Sequence, residues 1–321
     1  MANSASSSNV VKTAIDHLLA DENYRLYPGP EYGSVKDSEI FEQITPENGS
    51  FIEAPFGGGG YFVQTGEEQD PNKVSRRSGT EKVFTMNDYT QSEALPENFE
   101  RDSSKHRAVA KILANMRKSA YKSMEAYGFE PFRDGFTGGS AQSQTYTGTA
   151  IFSNSHTLLD GSTLDNLITP ALDADAIEAA IIQLTEMKDQ DGVIGAYMPK
   201  CLLVPPALFR EAVEVTESVL KPGTTDNDIN YVSAKYGIMV KQSPFLGANA
   251  PTMGGLTAGS DSRWFLLSDE TPFRNVMAEG LQMEVVDASV RDNFVSLAKA
   301  KFRQFTGATI PNGVVGSNGT T

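Results

Sequence analysis

The segment Ser103 to Tyr127 places the strongest constraint on this chain, because it reads as one long amphipathic helix with a body to lie on. At about 100° per residue, Val109, Ile112, Leu113, Met116, Ala120, Met124 and Tyr127 fall on one arc. Arg107, Lys111, Lys118 and Lys122 fall on a narrow stripe almost opposite. Over residues 73–122 eleven Lys/Arg face six Asp/Glu, a local excess of +5 in a chain whose formal charge is −14. Gly128 is expected to end the helix as a C′ glycine.

That overall charge argues against a generic basic nucleic-acid binder, since neutralising phosphates needs a cationic surface; a local patch stays open. The 321 residues suit two domains, or one domain with large extensions. One cysteine, Cys201, leaves no intramolecular disulfide, and three histidines cannot build a multi-Cys/His zinc signature. The start lacks the cationic and apolar regions of an export signal, and no run of 18 apolar residues occurs. The expectation is a soluble, intracellularly made protein without metal, cofactor or membrane partner.

Before the helix, a Ser/Asn tract and a short helix from Val10 to Leu19 lead into breaker-rich sequence around Tyr27-Pro28-Gly29-Pro30. Residues 20–47 hold too few apolar residues for a core of their own. They must therefore lie on something else, either the chain's own body or a neighbour. Strands are expected at Tyr61–Thr65 and Lys82–Met86, joined by a loop that is acidic first (Glu67, Glu68, Asp70) and basic after (Lys73, Arg76, Arg77). Segregated charge suggests a pairing surface; the plainer reading is a solvated loop.

After the helix, Asp173 can cap a helix built on Ile177, Ala180, Ile181, Leu184 and Met187. Cys201–Val204 reads as a buried strand broken by Pro205-Pro206, and a helix from Ala207 to Leu220 follows. Further strands are expected at 237–241, 264–268, 281–286 and 294–303, the last alternating Ala298, Ala300 and Phe302 with Lys299, Lys301 and Arg303. The tail from Gly307 is expected to fray or dock on a partner.

Chemistry is hard to find. Gly57-Gly58-Gly59-Gly60 is followed by neither Lys-Ser/Thr nor a helix, so it reads as a hinge rather than a phosphate cradle. Ser155, His156 and Asp160 are sequence neighbours, a poor source of triad geometry. Asp189-Gln190-Asp191-Gly192 lacks the remaining spacing of a calcium loop, and Cys201 reads as a small buried hydrophobe.

Three motifs in series carry a resemblance. Thr149-Ala150-Ile151-Phe152-Ser153-Asn154-Ser155-His156, with Asp160-Gly161 and Asn166-Leu167, resembles the turn after the long helix of Mu-type phage major head subunits. Pro199–Leu208 is similar to that family's strand-into-helix step, and Trp264–Leu267 to its Trp-containing strand. The resemblance implies an α+β chain with the tailed-phage major capsid (Johnson) fold. Its parts would be an N-terminal arm (1–47), an extended loop (48–84) and a peripheral domain (85–190) with a spine helix at 103–127. An axial domain (191–277) and a return to the peripheral domain with the tail (278–321) would complete it.

It further implies a structural, non-enzymatic subunit of an icosahedral virion head, built of pentamers and hexamers around double-stranded DNA and assembled in the host cytoplasm. Portal, scaffold and decoration proteins are the other implied partners, and an uncleaved arm is expected from the initiator Met. On this reading Arg107, Lys111, Lys118 and Lys122 face the lumen and its DNA, and Lys299, Lys301 and Arg303 extend the patch. The loop charges at 67–77 meet an adjacent subunit, Gly57–Gly60 hinge the loop, and residues 20–47 become ordered only by packing on subunits of the lattice. Alternatives are an encapsulin-like compartment of the same fold, a tail or connector protein, and an α+β enzyme.

Overall fold

A computed structural model describes residues 12–13, 15–21, 24–46, 49–67, 70, 73, 76–96, 106–218, 230–286 and 295–320. In chain order the strands and helices are β1 (Glu42–Ile44), β2 (Ser50–Glu53), β3 (Lys82–Thr85), β4 (Asn87–Pro96), α1 (His106–Gly128) and α2 (Glu130–Arg133). Then come β5 (His156–Thr157), β6 (Thr163–Leu164), β7 (Leu167–Ile168), α3 (Ala174–Thr185) and β8 (Pro199–Val204). The chain continues with α4 (Phe209–Glu217), α5 (Tyr231–Lys235), β9 (Met239–Gln242), β10 (Trp264–Ser268), β11 (Phe273–Val286), β12 (Val295–Ala308) and β13 (Val314–Ser317).

Two sheets organise these elements. One has the order β1-β11-β12-β4, the other β7-β13-β10-β8-β9. The second draws its strands from 167–168, 199–204, 239–242, 264–268 and 314–317, and so straddles the expected axial segment 191–277. The long helix lies across the first sheet. Val109, Leu113 and Met116 pack with Leu95, Met283, Ala298 and Ala300, and Ala120 and Met124 pack with Phe302. The expected residues 103–105 lie outside the described ones. Asp173 caps α3 by accepting from Ala176 N at 2.6 Å, which satisfies a donor that the first helical turn leaves open. α3 and α4 cover the second sheet through Ile177, Ile181, Leu184, Ala212 and Val215. The step into α4 is a single 3₁₀ turn, with Pro206 at its start, rather than a helix from Ala207.

The long helix ends at Gly128, as expected, but the glycine is its last helical residue and shows no left-handed φ, so it is not a C′ cap. The glycine is needed for space, because a Cβ there would lie 2.0 Å from Val35 Cγ1. That contact exposes a larger correction: residues 24–46 do not wait for a neighbour. Val35, Ile40 and Phe41 are buried in the chain's own core, and β1 pairs in parallel with β11. Three well-placed apolar residues were enough, because the arm borrows a core built by other elements. The Ser/Asn tract before residue 12, Val10 included, lies outside the described residues.

The expected strand at Tyr61–Thr65 pairs with no other strand among the described residues. β3 pairs instead with β2, where Phe51 stands opposite Phe84 and Phe84 packs on Phe305. Packing on the body selects the partner, and Tyr61–Thr65 has no body beneath it. The tail from Gly307 is not frayed either. β12 runs on to Ala308, and β13 lies between β7 and β10 with every residue buried.

Alanine usually suits a helix better than glycine, by about 1 kcal/mol. Gly128→Ala is nevertheless expected to lower the denaturation midpoint, because its methyl meets Val35. Adding Val35→Ala should recover part of the loss. A midpoint that rises in the single variant would contradict the packing described here.

Candidate functional site

The surfaces that reach beyond the body are the β2–β3 ribbon, the outer side of α1, and the open face of the first sheet. The ribbon continues past β2 and β3 through a bridge between Phe56 and Ser78 and bonds from Gly57 N to Arg77 O and from Gly79 N to Pro55 O. Beyond this ladder the chain stands clear. Tyr61, Phe62 and Val63 are exposed, Phe62 completely so at 106%. Ile52, Val83 and Phe56 add exposed apolar surface along the ribbon. Single exposed apolar residues are ordinary, whereas here six stand on one ribbon.

Glu67, Asp70, Lys73, Arg76 and Arg77 are all exposed around this tip. Glu68 lies outside the described residues. Arg77 Nη1 reaches Leu159 O at 3.4 Å, which steadies the returning strand. The glycine run touches the turn at 188–194. A Cβ on Gly57 would lie 2.0 Å from Asp191 Oδ1, and Gly59 N donates to Asp191 Oδ2. Gly59 and Gly60 hold φ of +95° and +69°, with open space around them. The first glycine thus permits a close approach and the last two permit a turn.

Glu53 and Lys82 anchor the ribbon's base. Glu53 accepts from Arg274 Nε at 3.3 Å and from Thr309 Oγ1. Lys82 Nζ donates to Ala308 O at 2.7 Å and to Gln144 O, and burial pushes its ammonium down to about 8 against the pull of Glu53. Such a buried cation is tolerated because carbonyl oxygens solvate it.

On α1, Lys111, Lys118 and Lys122 are exposed, as the period requires. The side chain of Arg107 lies outside the described residues. Arg117, off the stripe, turns inward and stacks over Tyr24 at 4.1 Å. The strand cations behave differently. Ala298, Ala300 and Phe302 face α1, so Lys299, Lys301 and Arg303 point through the opposite side of the sheet. There Lys299 meets Glu284 at 3.9 Å, Lys301 meets Glu279 at 3.2 Å, and Arg303 meets Asp88 at 2.5 Å. Lys299 and Lys301 line a groove of about 440 Å³ with Thr90 and Ser92. A sheet therefore separates them from the helix stripe, and they do not extend it. Sequence alternation could place them opposite Ala298, but the paired acids appear only once β4 and β11 are in register.

The residues that first suggest catalysis have structural partners. His156 is buried, with Nε2 3.1 Å from Ile151 O and 3.2 Å from Asn166 Oδ1, and burial lowers its pKa. Asp160 instead accepts from Ser162 N and Oγ. Asp189 Oδ1 accepts from Asp191 N and Val193 N, closing a turn. Burial pushes the Cys201 thiol up to about 12, which suppresses the reactive thiolate. Among the described residues no group of three or more His, Cys, Asp or Glu is placed to hold a metal, and no helix is long and apolar enough to cross a membrane.

No curated protein sequence matches the chain. Solved structures do. The capsid of cyanophage P-SCSP1u superposes with a TM-score of 0.56 at 9% identity, covering 91% of this chain and 90% of that one. The mature capsid of bacteriophage PhiM1 gives 0.57 at 12% identity, covering 92% and 89%. The capsid of Ralstonia phage GP4 gives 0.54 at 11% identity, covering 86% of each chain. At such identities these likenesses establish the tailed-phage capsid fold. The family model described as phage capsid protein matches residues 94–313, from the end of β4 to the residue before β13. This chain belongs to the phage capsid protein family and is a structural subunit of a capsid shell.

Proposed function

We propose that the chain is the major head subunit of a tailed phage, acts without enzymatic chemistry, and closes with copies of itself into an icosahedral shell of pentamers and hexamers around double-stranded DNA. The observation that carries this reading is the projecting ribbon, whose apolar tip at Tyr61–Val63 stays exposed among the described residues. Repeated heterologous contacts bury such surface while closing rings. The motifs at 149–167, 199–208 and 264–267 support a place near Mu-type head subunits. Assembly in the host cytoplasm, with a portal and any scaffold or decoration protein, follows from the same reading. Electron microscopy of the purified chain is expected to reveal closed icosahedral particles. Exclusively monomeric protein under all assembly conditions would sink the proposal.

The segregated charges beside the tip are read as electrostatic guides to an adjacent subunit. One exposed pair contributes about 1 kcal/mol at most, but a lattice repeats each contact. Reversing Arg76 and Arg77 to Glu is expected to lower shell yield and leave the thermal unfolding of the free subunit unchanged. Undiminished yield counts against a role in assembly.

The helix stripe is read as a weak contact for packaged DNA on the lumen side. Lys111, Lys118 and Lys122 are exposed and point away from the sheet, and phosphate contact requires no base reading. The strand cations are left out of this role, since acids already neutralise them. Changing Lys111, Lys118 and Lys122 to Gln, with Arg107→Gln, is expected to leave empty shells intact. Retained DNA should decline, most clearly at low salt. Equal DNA content at every salt concentration contradicts the assignment.

A further inference from the structure

Glu125 lies on the body-facing side of α1, only 6% exposed, at the point where the arm crosses the helix. Its Oε1 accepts from Ser34 Oγ at 2.5 Å and its Oε2 from Val35 N at 2.9 Å. Both donors are neutral and both belong to the arm. The same stretch of arm is gripped from the other side, where Val35 O accepts from Gln43 Nε2 at 2.7 Å and Asn275 Nδ2 at 3.2 Å. Beside Val35 lies Gly128, which leaves no room for another side chain.

The charged neighbours are few and unequal. Lys36 donates to Tyr24 O at 3.4 Å and lies 5.0 Å from the centre of the Tyr121 ring. Asp37 is held by Arg25 at 2.7 Å and Lys241 at 3.0 Å, and Lys241 also meets Glu39 at 3.2 Å. Arg25 and Lys241 are thus drawn to Asp37 and Glu39, while Lys36 favours the charged form of Glu125. From β11 and β12 the nearby groups are the uncharged Asn275 and Gln304.

We propose that Glu125 is a proton-operated latch on the N-terminal arm, holding Ser34 and Val35 against α1 when protonated and loosening them when ionised. The protonated carboxyl keeps both contacts. Its O–H donates to Ser34 Oγ, and its other oxygen continues to accept from Val35 N–H. Ionisation instead places a charge in the interior, where two neutral donors compensate it only in part.

Burial pushes the Glu125 pKa up to about 7 from 4.5, with Asp37 acting in the same direction and the Ser34 and Val35 bonds and Lys36 opposing. An acid whose docked pKa is raised binds its proton more tightly docked than free. Docking is therefore strongest below 4.5, weakens as pH rises through the window up to about 7, and levels off above. The opening equilibrium of the arm should increase roughly tenfold between about pH 6 and about pH 8. Opening uncovers the α1 face at Glu125 and the edge of β9, which the arm bridges through Tyr32 and Gln242.

Amide hydrogen exchange of the full chain, corrected for the intrinsic pH dependence of exchange, tests the latch. Arm amides at 32–41 in the wild type should lose protection by roughly tenfold from pH 6 to pH 8, while amides of β8 and β10 keep theirs. Glu125→Gln can reproduce the protonated state, its amide donating to Ser34 Oγ and its oxygen accepting from Val35 N–H. That variant should stay protected at both pH values. Ser34→Ala should open more at each pH and retain the slope. Arm protection that does not change with pH in the wild type overturns the proposal, whether or not either variant folds. So does a wild-type slope retained in Glu125→Gln, or an equal loss in β8 and β10.

Discussion

The fold depends on one aromatic junction between its two sheets. Phe41 from the arm, Phe129 and Phe132 from the end of the long helix and α2, Phe265 from β10 and Phe273 from β11 share a single core. Phe132 lies at its centre, with ring centroids 4.1 Å from Phe273, 5.0 Å from Phe265 and 5.8 Å from Phe41. Phe152 and Phe136 extend the cluster toward β13. No element contributes enough apolar surface to stand alone, so the arm, helix and sheets stabilise one another.

Around this junction the polar groups are arranged to keep the chain in one path. Arg133 is almost fully buried, pairs with Glu130 at 2.8 Å, and donates to Ala126 O and Pro251 O. Glu130 also accepts from Thr257 N at 2.9 Å. The end of α1 is thereby tied to the glycine-rich loop before β10. Removing one member would strand a buried charge, so the network fixes geometry more than it adds stability.

Periodicity made the long helix, α3, β8 and β10 legible, since each carries an unbroken apolar face or run. The rest was hidden for physical reasons. Val35, Ile40 and Phe41 are scattered among breakers and have no period, because the arm has no regular face to present. β4 runs along the edge of its sheet and is wet over most of its length, so alternation is weak. β13 is a short Val-Val pair between glycines, recognisable only when Phe152 is found against Gly316. The charged tip and the helix stripe could be read as exposed. Their direction in a shell depends on neighbouring subunits, which a single sequence does not encode. The pairing of Lys299, Lys301 and Arg303 needed the register of three strands.

β13 follows its neighbours in sequence but lies inside their sheet, between the parallel β7 and the antiparallel β10. As the chain emerges from the ribosome, β7 and β10 must remain unpaired edges until residue 317 is available. Unpaired edges invite aggregation and recognition by quality control. A chain stopped before β13 keeps its ribbon and helix but carries an open slot in its second sheet. Translation through β13 thus becomes a condition for a sound building block, a form of proofreading written into strand order.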